Sequence, residues 1–248
     1  MLKSERQELI LHEINLHNKV LVGDLSTAIK VSEDTIRRDL IELAQKGKLV
    51  KVHGGALSNS FRNAFTHADI YSLEQKKIIA HKAISLIRQD MLIHTTGGTT
   101  ILEMARLLPE NLKATFVTGS LQAAFEYLQH PNIDVILVGD RVSRNSQITV
   151  GGDAVAKIKR FHADLCFLGV NAIDVKHGIT DSDYEIAQVK QAILESSSRV
   201  VVLSIAEKLN TRQKMQVCPI ENVHTLITEL PPNDPFLKPY QEKGIQVI

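Results

Sequence analysis

The sequence predicts an α/β protein in two parts, a small N-terminal helical module and a larger domain on an open, Rossmann-like parallel sheet. Three observations carry that expectation. Residues 4–46 are helical in period, with few β-branched runs. Past residue 78, helical stretches alternate with short apolar runs that end at Gly, Ser or Thr. Those runs are continuous rather than alternating, which suits strands buried on both faces. Between the two patterns, Leu57-Ser58-Asn59-Ser60 begins a polar connector into a helix expected over 73–88. The expected divisions are therefore 1–57, a linker 58–74, and 75–248.

The first helix is expected to start at Ser4, because Ser4-Glu5-Arg6-Gln7 has the spacing of a capping box. Leu9, Ile10, Ile14 and Leu16 give it a rough apolar stripe. A second short helix fits 21–28, with Leu25, Ala28 and Ile29 inward. The third begins after Ser32, a good N-cap residue, and buries Ile36, Leu40 and Leu43 at i, i+4 and i+7. Its other face then carries Asp34, Arg37, Arg38, Ile41 and Gln45. Two adjacent arginines there suit either a solvated face or entry into a DNA major groove. Lys46-Gly47 ends this helix, and Leu49 to Gly55 alternates like a hairpin that turns at glycines, which is the place of a wing. Within 37–51, Arg37, Arg38, Lys46, Lys48 and Lys51 oppose Asp39 and Glu42. This local excess of positive charge is hidden in the whole chain, where Lys+Arg 29 against Asp+Glu 28 leaves +1.

In the larger part, strands are expected at Met91-Leu92-Ile93, Thr115-Phe116-Val117, Val135–Val138, Cys166–Val170, Val200–Leu203 and Thr225–Ile227. Helices are expected over 100–108, 120–129, 153–160 and 184–197. Three small-residue turns lie at strand ends or helix starts: Thr95-Thr96-Gly97-Gly98-Thr99-Thr100, Thr118-Gly119-Ser120 and Val150-Gly151-Gly152. Glycines turn backbone N–H groups inward, hydroxyls add donors, and a helix N-terminus favours an anion, so these turns are candidates for phosphate binding.

At 248 residues the chain can build one or two cores. The two cysteines, Cys166 and Cys218, form neither a disulfide framework nor a four-ligand zinc site. Ten histidines are scattered with no pair at ligand spacing on one helix, so no metal site is expected, and no cofactor motif is present. No Gly-x-Ser-x-Gly elbow supports nucleophilic hydrolysis. There is no apolar run long enough to span a bilayer, and Met1–Arg6 opens directly into charged sequence, so a soluble cytoplasmic protein with no membrane partner is expected.

Val31-Ser32-Glu33-Asp34-Thr35-Ile36-Arg37-Arg38-Asp39-Leu40, followed by Gly47 and His53-Gly54-Gly55-Ala56, closely resembles the winged helix-turn-helix of DeoR-family bacterial transcription regulators. The resemblance implies that the face carrying Ser32, Asp34, Thr35, Arg37 and Arg38 approaches double-stranded operator DNA. It also implies that Lys51, His53 and Gly54 of the wing lie against the backbone. Residues 75–230 resemble the family's sensor domain, related in fold to ribose-phosphate isomerases and CoA transferases. The family's usual texts are Asp-x-Gly-Thr-Thr, Thr-Asn-Ser, a Gly-rich turn, Glu-Ala-x-x-Lys and Asp-x-x-Lys. The matching texts here are Thr95–Thr99, Thr118-Gly119-Ser120, Gly139-Asp140, Ile186–Lys190 and Ile205–Lys208. Lys190 and Lys208 are retained, whereas Thr95, Ile186 and Ile205 stand in acidic positions and Gly119 stands for Asn.

The resemblance thus implies a transcription regulator, a repressor of a carbohydrate or metabolite operon, controlled by a phosphorylated effector. The expected effector contacts are Thr96, Gly97, Gly98, Thr99, Thr100, Thr118, Gly119, Ser120, Gly151, Gly152, Lys190 and Lys208. Operator half-sites on one face of a duplex imply a homo-dimer or homo-tetramer. The rival reading is a sugar-phosphate isomerase or acyl-transferase-like enzyme fused to a DNA-binding module. It needs a carboxylate base, for which Asp181, Asp183 and Glu185 remain.

Overall fold

A computed structural model describes residues 1–59, 70–139 and 141–248. The chain divides into two compact units, Met1–Tyr71 and Ser72–Ile248. Residues 60–69 of the connector, and Asp140 of the Gly139-Asp140 turn, lie outside the described residues.

The first unit contains α1 (Lys3–His17), β1 (Lys19–Leu21), α2 (Val22–Ile29), α3 (Glu33–Gln45), β2 (Leu49–Val52) and β3 (Gly55–Ser58). One correction concerns the start of α1. Its N-cap is Leu2, and the Glu5 carboxylate accepts from the Leu2 N–H at 2.8 Å, so Ser4 lies inside the helix rather than capping it. Ser32 does cap α3. Ile10, Ile14, Leu25, Ile36, Leu40, Leu43 and Leu49 meet in a single core, so the apolar spacing read along α3 is what fixes it against α1 and α2. The strands form a three-stranded antiparallel sheet in the order β1-β3-β2, in which β1 was not foreseen from the sequence.

A second correction concerns Asp39, which is only 1% exposed and contributes nothing to the surface charge. Its carboxylate accepts from Arg6 Nε at 2.5 Å and from Gln7 Nε2 at 3.3 Å. Hydrogen bonding to Asp39 raises the Arg6 pKa above its ordinary value. Glu42, likewise counted in the charge balance, accepts from Lys3 and Gln7. With both acids turned toward α1, the outer face of α3 is more positive than the sequence count implied.

The second unit opens with α4 (Leu73–Ile84), β4 (Leu92–Thr95), α5 (Thr99–Arg106), β5 (Ala114–Thr118), α6 (Leu121–Tyr127) and β6 (Ile133–Leu137). A hairpin follows, β7 (Arg141–Ser143) and β8 (Ile148–Val150), then α7 (Gly152–Ile158), β9 (Leu165–Gly169), β10 (Ala172–Asp174), β11 (Gly178–Asp181) and α8 (Tyr184–Glu195). The remainder is β12 (Val200–Leu203), β13 (Met215–Cys218), β14 (Thr225–Ile227), α9 (Lys238–Gln241) and β15 (Gln246–Val247). The main sheet is parallel throughout in the order β15-β14-β12-β9-β4-β5-β6. The six apolar runs supply six of these strands. A small antiparallel sheet, β10-β11-β13, stands beside them.

The β7–β8 hairpin packs against the strand-end turns closely enough to dictate residue size there. A Cβ on Gly97 would lie 2.9 Å from Ile148 Cδ1, and one on Gly119 would lie 2.6 Å from Thr149 Oγ1. Thr149 cannot move aside freely, because its N–H donates to Gly119 O at 2.8 Å and its hydroxyl donates to Val138 O.

Two stability measurements follow from this packing. Asp39→Ala leaves Arg6 facing an empty acceptor and is expected to lower the stability of the first unit by roughly 3 kcal/mol, read from urea unfolding of the full chain. Gly119→Ala is expected to cost about 1–3 kcal/mol through overpacking. Much of that loss should vanish in a Thr149→Ala background, and additive losses would show that the two residues do not compete for one space.

Candidate DNA interface and effector site

The first turn of α3 organises one candidate site. The Thr35 N–H donates to Ser32 Oγ at 3.3 Å, and the two hydroxyls lie 2.9 Å apart, which satisfies one of the helix's free N–H groups. Glu33 and Asp34 sit where the helix dipole favours acids. They also hold Arg37, whose guanidinium donates to Asp34 at 2.8 Å and to Glu33 at 2.5 Å. Arg38 differs from its neighbour: it is exposed and has no hydrogen-bond or ion-pair partner among the described residues.

The wing tip is His53-Gly54, between β2 and β3, with Lys51 and His53 exposed. Gly54 has φ +74°, a left-handed conformation that favours glycine, and its carbonyl accepts from the Val22 N–H at 2.9 Å. At Gly55 the reason for glycine is space, since a Cβ would sit 2.0 Å from Val20 O. Each glycine thus ties the wing to β1 and the start of α2.

The second candidate site lies at the carboxyl ends of the parallel strands, where open α/β sheets bind ligands. The buried Thr96 joins two strand ends: its N–H donates to Phe167 O at 3.2 Å, and its hydroxyl accepts from the Gly169 N–H at 2.9 Å. Thr118 Oγ1 donates to Thr95 O and accepts from the Ser120 N–H, while Ser120 Oγ caps α6 by accepting from Ala123. The hydroxyls of Thr96, Thr118 and Ser120 therefore hold the turns in shape. The open positions are Gly98 and Gly151, which precede α5 and α7, and Gly152, each with free space around its Cα. Thr99 is half-buried and Thr100 is buried in the first turn of α5.

Two lysines expected from the sequence come together here. Lys190, on α8, is buried and donates to Asp181 Oδ2 at 2.7 Å. Asp181 also accepts from Asn171 Nδ2 and from the Ser182 and Asp183 N–H groups. Burial pushes its carboxyl up, but the Lys190 charge and these hydrogen bonds outweigh that and hold the pKa below the usual range. Lys208 is half-buried in a 3-10 turn, Ala206–Lys208, and donates to Val170 O at 2.9 Å. Val170 adjoins Gly169, which bonds Thr96, so the Gly97-Gly98 turn and Lys208 belong to one neighbourhood.

A third lysine was not anticipated as part of the site. Lys76 of α4 is buried, and burial pushes its pKa down to about 8 against the opposing influence of Glu103 and Glu207. Burial, then the charges of Lys76 and Lys190, push Lys208 down to about 7, with Asp181 acting in the other direction. A signal for Lys76 was present in the sequence, because it stands in register with Ile79, Ala80 and Ala83 on the buried stripe of its helix.

Thr95, Ile186 and Ile205, which the resemblance sets in acidic positions, face the interior. Thr95 Oγ1 accepts from the buried Tyr127 hydroxyl at 3.2 Å, and Ile186 and Ile205 are buried. The three remaining carboxylates are engaged, Asp181 with Lys190, Glu185 with Arg141, and Asp183 as the N-cap of α8, where it accepts from the Glu185 and Ile186 N–H groups. The arrangement can bind an anion through ammonium groups and backbone N–H donors, and offers no unengaged base at Asp181 or Glu185.

Comparison with known proteins agrees with this division. Residues 6–62 match the DeoR-like helix-turn-helix domain, and residues 72–230 match the DeoR C terminal sensor domain. The transcriptional regulator GolR of Listeria innocua is 32% identical over 250 residues, covering 100% of this chain and 98% of that protein. The regulator GlpR of Haloferax volcanii is 32% identical over 232 residues, covering 92% and 91%. A putative aga operon transcriptional repressor of Escherichia coli O157:H7 is 27% identical, covering 99% and 93%. Among solved structures, a translation initiation factor eIF-2B of Pyrococcus horikoshii aligns over 82% of this chain and 72% of its own, with 17% identity and a TM-score of 0.46. A ribose-5-phosphate isomerase bound to phospho-erythronic acid aligns over 55% and 53%, with 21% identity and a TM-score of 0.41. With a helix-turn-helix unit and a sensor unit matched in order, and relatives aligned along nearly their whole length, this chain belongs to the DeoR family of helix-turn-helix transcriptional regulators.

Proposed function

We propose that this regulator represses a carbohydrate or metabolite operon and is controlled by a phosphorylated metabolite bound at the strand ends of its second unit. The observation that carries the effector half is the placement of Lys208, through Val170 and Gly169, beside the Gly97-Gly98 turn, where it feels the charges of Lys76 and Lys190. Lys190 already has Asp181, whereas Lys208 donates to a neutral carbonyl, so an anion beside Lys208 would balance its charge, and the open N–H groups at the start of α5 suit a phosphate. The names of relatives such as the aga operon repressor and the Bacillus subtilis repressor GlcR support the repressor reading. The protein acts in the cytoplasm, where operator DNA is found; among the described residues no helix is long and apolar enough to cross a membrane.

On the DNA side, Arg38 reads base edges from the major groove, and Ser32, Asp34, Thr35 and Arg37 frame it. Lys51, His53 and Gly54 of the wing meet the phosphate backbone. Two copies, as a dimer or as half of a tetramer, engage two half-sites. The effector acts by differential affinity for DNA-competent and DNA-incompetent states, and a full switch from 1:99 to 99:1 requires about 5.5 kcal/mol. The enzyme reading is not favoured, because Asp181 and Glu185 are both committed to ion pairs and Asp183 caps α8.

Operator binding tests the first half of this proposal. Arg38→Ala is expected to weaken the specific site by about 1–3 kcal/mol with little effect on random DNA. Lys51→Ala should weaken all sequences alike and lower the salt slope by about one. Equal losses on both DNAs for Arg38→Ala would assign it to phosphate. For the second half, a thermal-shift series with sugar phosphates, free sugars, phosphate and acyl-CoA is expected to give a rise of roughly 5–10 °C for the effector at 100 times its Kd. The rise should be lost in Lys208→Ala, and a rise with free sugars alone would overturn the phosphate assignment.

A further inference from the structure

The main sheet ends differently at its two edges. Strand β15 has two residues, too few to offer much to a neighbouring chain, whereas β6 runs for five, Ile133–Leu137, and pairs with β5 without a bulge. Proteins commonly blunt an exposed edge with Lys, Pro or a bulge. β6 contains no Lys or Pro, and its one charge is Asp134. The Val138 N–H turns inward to Thr118 O, so alternation along the strand aims the backbone groups of Val135 and Leu137 outward.

The helix over this edge is also open on its outer side. α6 packs on β5 and β6, and the Arg106–Glu126 ion pair, at 2.7 Å, fastens it to α5 on one flank. Leu121, Phe125 and Leu128 recur at i, i+4 and i+7 through α6 and its C-cap, and are 38%, 54% and 66% exposed. The exposed Gln129 beside them is uncharged. Val135 lies opposite Phe116 in the β5–β6 register, and Phe116 stacks on Tyr127 of α6. Leu137, two residues on, therefore points to the side that α6 covers, and it is 47% exposed.

We infer that the β6–α6 edge docks a second copy of this chain, with β6 pairing antiparallel to β6 across a two-fold axis, so that two seven-stranded sheets become one. This supplies an interface for the two-copy reading above and rests on it. Pairing centred on Val135 sets that residue against its own copy and Leu137 against Ile133, and the outward N–H and C=O groups find partners. Asp134 falls opposite Ile136, so no like charges meet across the strands. Both α6 helices lie on one side of the joined sheet and cover Phe125 and Leu128. The exposed parts of Leu121, Phe125, Leu128 and Leu137 amount to roughly 400 Å² per copy, about half of the ~800 Å² each partner gives to a standard interface. The strand edge adds to that area. A two-fold operation needs one self-complementary face, and an uncharged apolar face matches itself better than it matches DNA or a charged peptide.

The experiment follows the full chain by sedimentation velocity over a concentration series, with hydrogen exchange read on the peptide spanning 133–138. Phe125→Glu and Leu128→Glu, at exposed positions, are expected to halve the assembled mass with an unchanged circular dichroism spectrum. Self-association should weaken by about 100-fold, because each substitution enters the interface twice. Gln191→Glu, which adds the same charge at an exposed position of α8, should leave association unchanged. The Val135 and Leu137 amides should exchange slowly in the assembled wild type, and rapidly both in Phe125→Glu and in wild type diluted until it dissociates. The dilution arm tests the pairing without any substitution. Assembly that survives both glutamate variants, or rapid exchange at Val135 and Leu137 in the assembled wild type, overturns this face and leaves the two-copy reading standing. A chain that stays monomeric with and without operator DNA overturns both.

Discussion

A parallel sheet covered on both faces has nowhere to put polar side chains except at the ends of its strands. In this protein that constraint organises the whole second unit. Phe116, Phe167, Leu168, Val201 and Val202 are fully buried along the strands, and the hydroxyls of Thr96, Thr118 and Ser120 gather where β4 and β5 stop. Burial is likewise the first cause behind the displaced pKa values of Lys76 and Lys208. The site is thus a consequence of the sheet's burial, and its charges are felt strongly because the same burial removes solvent screening.

How much of this was legible in the sequence differs between backbone and side chains. Continuous apolar runs located Val200–Leu203 and Thr225–Ile227 to the residue, because a strand buried on both faces has a pattern that depends on little else. Ser32 was legible as a cap for the same local reason. Ser4 was not a cap, because the sequence pattern is met equally by Glu5 reaching back to Leu2. Strand β1 escaped notice because three residues, Lys19–Leu21, have no period of their own and are held by pairing with β3, far along the chain. The partnerships of Asp39 with Arg6 and of Asp181 with Lys190 depend on tertiary approach, so a residue count assigned Asp39 to the surface.

Packing explains the residues found at two of the strand-end turns. At Gly119 the space a side chain would need is filled by Thr149, itself tied to Gly119 O and Val138 O. Thr95 turns its hydroxyl to Tyr127, whose ring stacks on Phe116 with centroids 4.2 Å apart.

The strand pairing of the wing bears on the entropy of recognition. Because β1 pairs with β3, and Gly54 O accepts from Val22, the wing hairpin is anchored along β3 and at its tip to β1 and the start of α2. A free hairpin of this length would lose about 1–2 kcal/mol per residue of backbone freedom on settling against a duplex. Here that ordering is already complete when the chain folds. Helix α3 and the hairpin are therefore presented as one stiff surface, with little backbone freedom left to lose when that surface is covered.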